Sequence, residues 1–278
     1  MTKRVLDLLP AELASLSAKE LLQAVAGSEG RVLAAETIGI TPPLLSDVTN
    51  AEFAASMGAD LLLLNMFDVW EPRIVGLPET RPEDVVRRVK ELTGRMIGIN
   101  LEPVDPAVCA QNEETIWAMS RGRYATAENA QRAMEMGVDL IVLTGNPGNG
   151  VSNEAIVHSL ESIRAQVGEG IVLAAGKMHA SGVVGEGGEN IITKEDVAAF
   201  AAAGADIILL PAPGTVPGIT TEYVRGLVSY AHSLGCLTIT AIGTSQEGAD
   251  TATIRQIALA CKMTGTDTHH IPDSGYVG

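Results

Sequence analysis

Gly204-Ala205-Asp206-Ile207-Ile208-Leu209-Leu210 is the stretch that decides the fold. It follows the alanine-rich run Val197–Ala203, and its glycine stands where a helix ends in the left-handed conformation that other residues avoid. The apolar residues after it form a short strand buried on both faces. The same corner recurs as Gly58-Ala59-Asp60, Gly137-Val138-Asp139 and Gly265-Thr266-Asp267, with Gly235-Cys236 as a looser copy. Repetition of a helix-to-strand corner predicts a repeated αβ unit and a parallel sheet.

Working outward from these corners, strands are expected near Arg31–Ile40, Ala59–Asp68, Met96–Val104, Val138–Asn146, Ile171–His179, Ala205–Pro213, Cys236–Thr244 and Thr266–Ile271. Between them lie helical patterns near Leu44–Met57, Pro82–Thr93, Thr126–Met136, Asn153–Val167, Thr193–Ala203, Thr220–Leu234 and Asp250–Thr264. Eight strands and seven intervening helices predict a single (β/α)8 TIM-type barrel, an α/β fold, spanning 1–278 as one domain. No helix is evident after the eighth strand. Residues 1–30 form an N-terminal helical segment packing on the barrel, opened by the capping box Ser17-Ala18-Lys19-Glu20. That segment in permuted order, or a neighbouring subunit's helix in a homo-oligomer, are two ways to cover the seam between last and first strands; a chain cut short is a third.

Composition agrees with this architecture. Hydrophobic residues make up 46% and aromatics 3%, so the core is aliphatic, as buried parallel strands require. A net charge of -15 without any Lys/Arg cluster repels phosphate backbones and argues against nucleic acid as a partner. No segment approaches the roughly 20 apolar residues of a membrane span, and no signal-peptide run opens the chain, which reads as cytoplasmic with no membrane partner. Cys109, Cys236 and Cys261 are odd in number and widely spaced, as expected of reduced, buried thiols.

In such barrels the groups at the C-terminal ends of the strands meet in one pocket. Gly176-Lys177-Met178-His179 ends the fifth strand, and alternation places Lys177 and His179 together, with Met178 on the other side. Lys177 reads as a Schiff-base nucleophile, a clamp on a carboxylate or phosphate, or an ion-pair partner of Glu102; His179 reads as acid/base, metal ligand or plain hydrogen-bonded histidine. Asn100 and Glu102 share a side, with Gly98 making space, and Glu102 is a candidate general base or a rim salt-bridge residue. Lys177, His179 and Glu102 are thus the catalytic candidates. Asn65, Asn100, Thr144, Asn146, Gly243, Thr244, Ser245 and His270 are the substrate-binding ones, His270 being favoured over His269 as the inward histidine. Glu36 and Asp68, with Glu102, are candidates for a Mg²⁺ or Mn²⁺ site. Nothing in the motifs indicates an organic cofactor.

Several of these motifs in order are similar to the BtpA-like family and to proteins labelled phosphoenolpyruvate phosphonomutase-like. They are Gly58-Ala59-Asp60, Leu64-Asn65-Met66-Phe67-Asp68, Ile97-Gly98-Ile99-Asn100, Leu143-Thr144-Gly145 and Ala175 to His179. The resemblance implies a TIM-type enzyme fold; a Lys-Lys-Cys-Gly-type loop, expected of phosphonomutases, does not occur in the sequence. The expectation is an enzyme acting on a small anionic metabolite, an oxo-acid or phosphorylated compound, by lyase, aldolase or isomerase chemistry. Two other readings stay open: a metal-dependent hydrolase using His179, His270, Glu36 and Asp68, and a non-catalytic metabolite-binding barrel.

Overall fold

A computed structural model describes residues 3–104, 119–145, 150–178, 180, 184–243 and 249–272. Eight parallel strands close into a barrel in chain order: β1 Val32–Ile38, β2 Leu61–Asn65, β3 Met96–Leu101, β4 Leu140–Leu143, β5 Val172–Gly176, β6 Ile207–Pro211, β7 Leu237–Ala241 and β8 Thr268–Ile271. Among the described residues the helices of seven or more residues are α1 Ala18–Gly27, α2 Asn50–Ser56, α3 Val85–Thr93, α4 Ala127–Met136, α5 Asn153–Val167, α6 Lys194–Ala202, α7 Thr221–Ser233 and α8 Thr251–Thr264. This is the (β/α)8 fold that the repeated corner predicts.

Side-chain parity divides the strands between two hydrophobic cores. Outward residues such as Leu62, Ile97, Ile141, Leu173 and Ile208 pack with the surrounding helices. Inward residues such as Val32, Leu61, Met96, Leu140, Val172, Ile207 and Ile239 fill the barrel. Gly98 belongs to the inward set, and its missing side chain is filled by a neighbour: a Cβ there would lie 2.4 Å from Leu63 Cδ2.

The recurring Gly-x-Asp corner has a specific structural duty, and it falls on every second strand. Asp60, Asp139 and Asp206 precede β2, β4 and β6, and each donates its own N–H at 2.8 Å to the carbonyl of Leu33, Ile97 or Leu173 on the preceding odd strand. The carboxylate of each returns the contact, Oδ2 accepting the N–H of that same residue at 2.8 to 2.9 Å. Asp267 does the equivalent before β8, accepting from Thr238 N at 2.7 Å. A cation backs three of the four: Lys90 on Asp139, Arg164 on Asp206 and, when protonated, His232 on Asp267. The repeat is therefore one of two-strand units, each clamped at the N-terminal end of the barrel.

Helix α1 covers that same end. Leu21, Ala24 and Val25 join the inward core and meet the first inward residues of the strands, including Val32, Leu61, Met96, Leu140 and Val172. Ser28 holds the C-terminal end of α1, accepting from Val5 N and donating to Ala24 O. The placement of this segment in the seam is thus corrected: its apolar stripe is needed beneath the barrel, where the inward residues would otherwise face water. The seam closes by direct pairing, Val32 opposite Thr268 and Ala34 opposite His270.

Candidate active site

Toward the C-terminal ends of the strands the barrel interior changes character. Above the apolar floor of Leu63, Val142, Leu209 and Ile239 stand Glu36, Asn65, Asn100, Thr144 and His270, with Met178. Strand geometry explains the convergence: each polar residue shares the parity of the inward apolar residues below it, so the last inward position of each strand opens onto the mouth. His270 is the inward histidine and is buried; His269 faces outward, its Nε2 lying 3.1 Å from Gly30 O.

His270 Nε2 lies 2.8 Å from Glu36 Oε2, an ion-pair distance, although the direction is too oblique for a hydrogen bond. Its Nδ1 has no partner among the described residues, and neither have Asn100 Oδ1 and Thr144 Oγ1. Buried polar atoms left this way cost about 1–3 kcal/mol each, which a ligand supplying the missing bonds would recover. Asn65 is fixed differently. Its Oδ1 accepts the N–H of Met66 at 2.7 Å, and Met66 adopts φ 56, a left-handed conformation unusual for a non-glycine residue. The amide oxygen is thereby held on the backbone, which fixes the orientation of the amide at the mouth.

The other candidates are placed elsewhere. Met178, not Lys177, joins the inward lining, because Val172, Ala174 and Gly176 set the inward parity of β5. Lys177 is buried at 2% exposure after Leu173 and Ala175, which pack toward the helices. Its charge is felt by Glu154 at the start of α5, whose carboxyl is lowered first by hydrogen bonds from the helix start and Ser152, then by Lys177.

Glu102 pairs with Arg123 and lines a cleft of about 640 Å³ outside the barrel, with Tyr124, Thr126, Ser152, Glu154 and His158. Burial pushes its carboxyl up, and Arg123 opposes this without cancelling it. Asp68 is built into a loop: Oδ1 accepts from Trp70 N and Glu71 N, and a Cβ on Gly122 would lie 1.9 Å from it. Burial raises its carboxyl, yet the hydrogen bonds from Ser120, Glu71, Trp70 and Gly122 outweigh burial and hold it below its ordinary value.

The Glu36–Asp68–Glu102 donor set is therefore not assembled. Among the described residues no group of three His, Cys, Asp or Glu side chains is placed to hold a metal ion. Gly243 is buried just past β7, while His179, Asn146, Thr244 and Ser245 lie outside the described residues. What the sequence reading missed is the partnership of Glu36 with His270 and the apolar part of the mouth. Counting parity from the first inward residue of each strand, rather than from the chemistry of its last one, is the signal that finds Met178.

Comparison with known proteins fits this architecture. A family model described as "Domain of unknown function (DUF7916)" matches residues 6–278. No curated protein matches the chain. Among solved structures, it is similar to 2,3-dimethylmalate lyase, a member of the PEP mutase/isocitrate lyase superfamily, with TM-score 0.56, 12% identity and coverage of 92% of this chain and 81% of that one. It is similar also to a lyase/mutase, so described provisionally, from Burkholderia cenocepacia J2315, with TM-score 0.56, 15% identity and coverage of 94% and 83%. A phosphonopyruvate hydrolase in complex with oxalate and Mg++ gives TM-score 0.54, 13% identity and coverage of 93% and 81%. At such identities the likeness establishes the fold. Proteins of the phosphonomutase side of the expected resemblance are thus among those that share this fold, and the comparison does not bear on the BtpA-like side. No helix among the described residues is long and apolar enough to cross a membrane.

Proposed function

We propose, for a chain that belongs to the DUF7916 family, an enzyme of lyase type that takes a small oxo- or hydroxy-acid into the barrel mouth. One observation carries this reading: Glu36, Asn65, Asn100, Thr144 and His270 converge on one layer, with buried atoms of Asn100, Thr144 and His270 still lacking partners. The fold shared with lyases of the PEP mutase/isocitrate lyase superfamily supports it as analogy.

In the reaction, His270 would take the proton of a substrate hydroxyl as the carbon–oxygen bond becomes a carbonyl and the adjacent carbon–carbon bond breaks. The electron pair passes to the carbon beside the acid group, and the same proton returns there, so the cycle balances without external acid or base. Glu36 orients the imidazole and balances its charge. The Asn65 amide, the Thr144 hydroxyl and the Asn100 amide hold the substrate oxygens, which contributes through orientation.

Divalent metal enters this reading only through the Mg++ in the hydrolase structure. The donors here do not fit it well: Asp68 is engaged by its own loop, Glu102 by Arg123 and Glu36 by His270. No step is routed through a cation. The same fact weakens the hydrolase reading, which needs Asp68 at the mouth.

The test is a thermal-shift and turnover screen of hydroxy acids of four to six carbons whose hydroxyl stands on the carbon next to the one beside a carboxylate, with 2-oxo acids as binding probes. A subset is expected to raise Tm and be converted, and His270→Gln and Glu36→Gln to lower turnover by about 10²-fold or more while remaining folded. Stabilisation without conversion would favour the non-catalytic binding barrel instead. Full turnover by either variant would refute the assignment.

A further inference from the structure

The strands close into a barrel, but the helical layer around them stays open at one place. Each helix from α2 to α8 packs on the next, and among the described residues no comparable packing joins α8 back to α2. The outward residues of the strands register the gap. Leu62, Ile97, Ile141, Leu173, Ile208 and Thr238, the first outward residues of β2 to β7, are all 0% exposed. Leu33 on β1 and His269 on β8 complete that layer and stand opposite each other across the seam, yet both are only half-buried, as is Ile271 one outward position further along β8.

Helix α8 runs along one edge of this seam. His269 is held below its ordinary value first by burial and then, against the Gly30 carbonyl, by the charge of Lys262 on α8. The face that α8 turns to solvent is apolar and basic: Leu259 is 58% and Met263 65% exposed, with Arg255 and Lys262 exposed beside them at helical spacing. Neither cation has an ion-pair partner among the described residues. On the other flank, the turn before α2 exposes Ile40, Leu44 and Leu45 together with Asp47. One flank is thus apolar and basic, the other apolar and acidic.

Such a surface is complementary to itself. A two-fold axis can bring the stripe of each copy onto the seam of the other, so that every favourable contact occurs twice. With 34 acidic against 19 basic residues, a second copy also offers Arg255 and Lys262 an acidic surface. The net charges of the two copies repel, but salt screens that repulsion beyond about 10 Å at 0.1 M and acts less on pairs buried in an interface.

We infer that a second copy of this chain covers the seam, Leu259 and Met263 of each α8 packing on Leu33 and Ile271 of the other copy. Arg255 and Lys262 meet the acidic flank around Asp47. The strands so covered, β1 and β8, are those that carry Glu36 and His270 on their inward side. The interface therefore backs that pair, and it stands whether or not the mouth takes an acid.

Sedimentation equilibrium of the full chain tests it. The wild type should have the mass of a dimer, and its Tm should rise with protein concentration. Leu259→Glu and Met263→Glu, at positions exposed in the single chain, should each weaken self-association by at least about tenfold with the circular dichroism unchanged, because each buries a charge against an apolar seam. Val184→Glu, at a residue 94% exposed on the rim, should leave the dimer as it is. A photo-crosslinking benzoylphenylalanine at position 263 should join the other copy within residues 40–48 or at Leu33 or 268–271. A wild-type chain that sediments as a monomer would overturn the inference. So would a dimer that both α8 variants leave intact, or cross-links that fall only between the two α8 helices.

Discussion

The two ends of this barrel are built from the same strands and differ in almost every other respect. At the N-terminal end the inward residues are aliphatic, α1 covers them, and four aspartates clamp each odd strand to the even strand that follows. Four residues further along β1 to β4, about 13 Å away by strand geometry, the inward residues are an acid, two amides and a hydroxyl, joined by the His270 imidazole of β8, and atoms of Asn100, Thr144 and His270 are unmatched. Aspartate clamps and an aliphatic cover at one end, and a cluster of inward polar atoms without partners at the other, indicate a division of labour: stability is concentrated below and ligand chemistry above, the pattern expected of this fold.

Substitutions at the two ends should separate those properties. The largest effect is expected at the mouth, where His270→Gln or Glu36→Gln should reduce turnover by about 10²-fold or more, with an unfolding midpoint close to that of the wild type. A Tm drop matching the loss of turnover would mean that the pair is structural. At the lower end, Leu21→Ala removes a buried anchor of α1 and should cost about 2–4 kcal/mol in urea unfolding, leaving affinity for the acid unchanged. Asp206→Ala deletes the acceptor of Leu173 N and the partner of Arg164, and should cost about 2 kcal/mol in the same measurement.

The smallest effect concerns Asp68, which lies near the mouth in sequence yet belongs to the structural side of the division. Its folded carboxyl is held below its ordinary value, so the stability it contributes is fully present above about pH 4 and is lost as pH falls through the lowered value. Tm measured against pH should therefore show wild type above Asp68→Asn at neutral pH and the two curves converging in acid. Curves that stay parallel would place the carboxylate outside that hydrogen-bond set.

Much of the lower end was legible in the sequence, because its signals are local. The glycine of each corner sits at a helix end with positive φ, as at Gly137 and Gly204, and the aspartate two residues on marks the strand start. What each aspartate bonds to was not legible, since Leu33, Ile97 and Leu173 stand a whole helix away. The mouth was legible as an inventory and not as an arrangement. Asn65, Asn100, Thr144 and His270 are inward as expected, but Glu36 and His270 lie at opposite ends of the chain and meet only because β1 pairs with β8. Lys177 drew attention as a charged residue ending an apolar strand, yet parity is set by packing along the whole strand, and Met178 takes the inward place. Asp68 depends on the close approach of Gly122 from another loop, a tertiary contact without local trace.

Turnover per folded molecule, measured for His270→Gln beside Asp206→Ala on an acid that the wild-type chain converts, bears most directly on this division. An active site at the barrel mouth predicts that His270→Gln loses about 10²-fold or more at undiminished stability, whereas Asp206→Ala unfolds more easily and keeps its turnover. Full turnover by His270→Gln, or an equal loss in both, would contradict it.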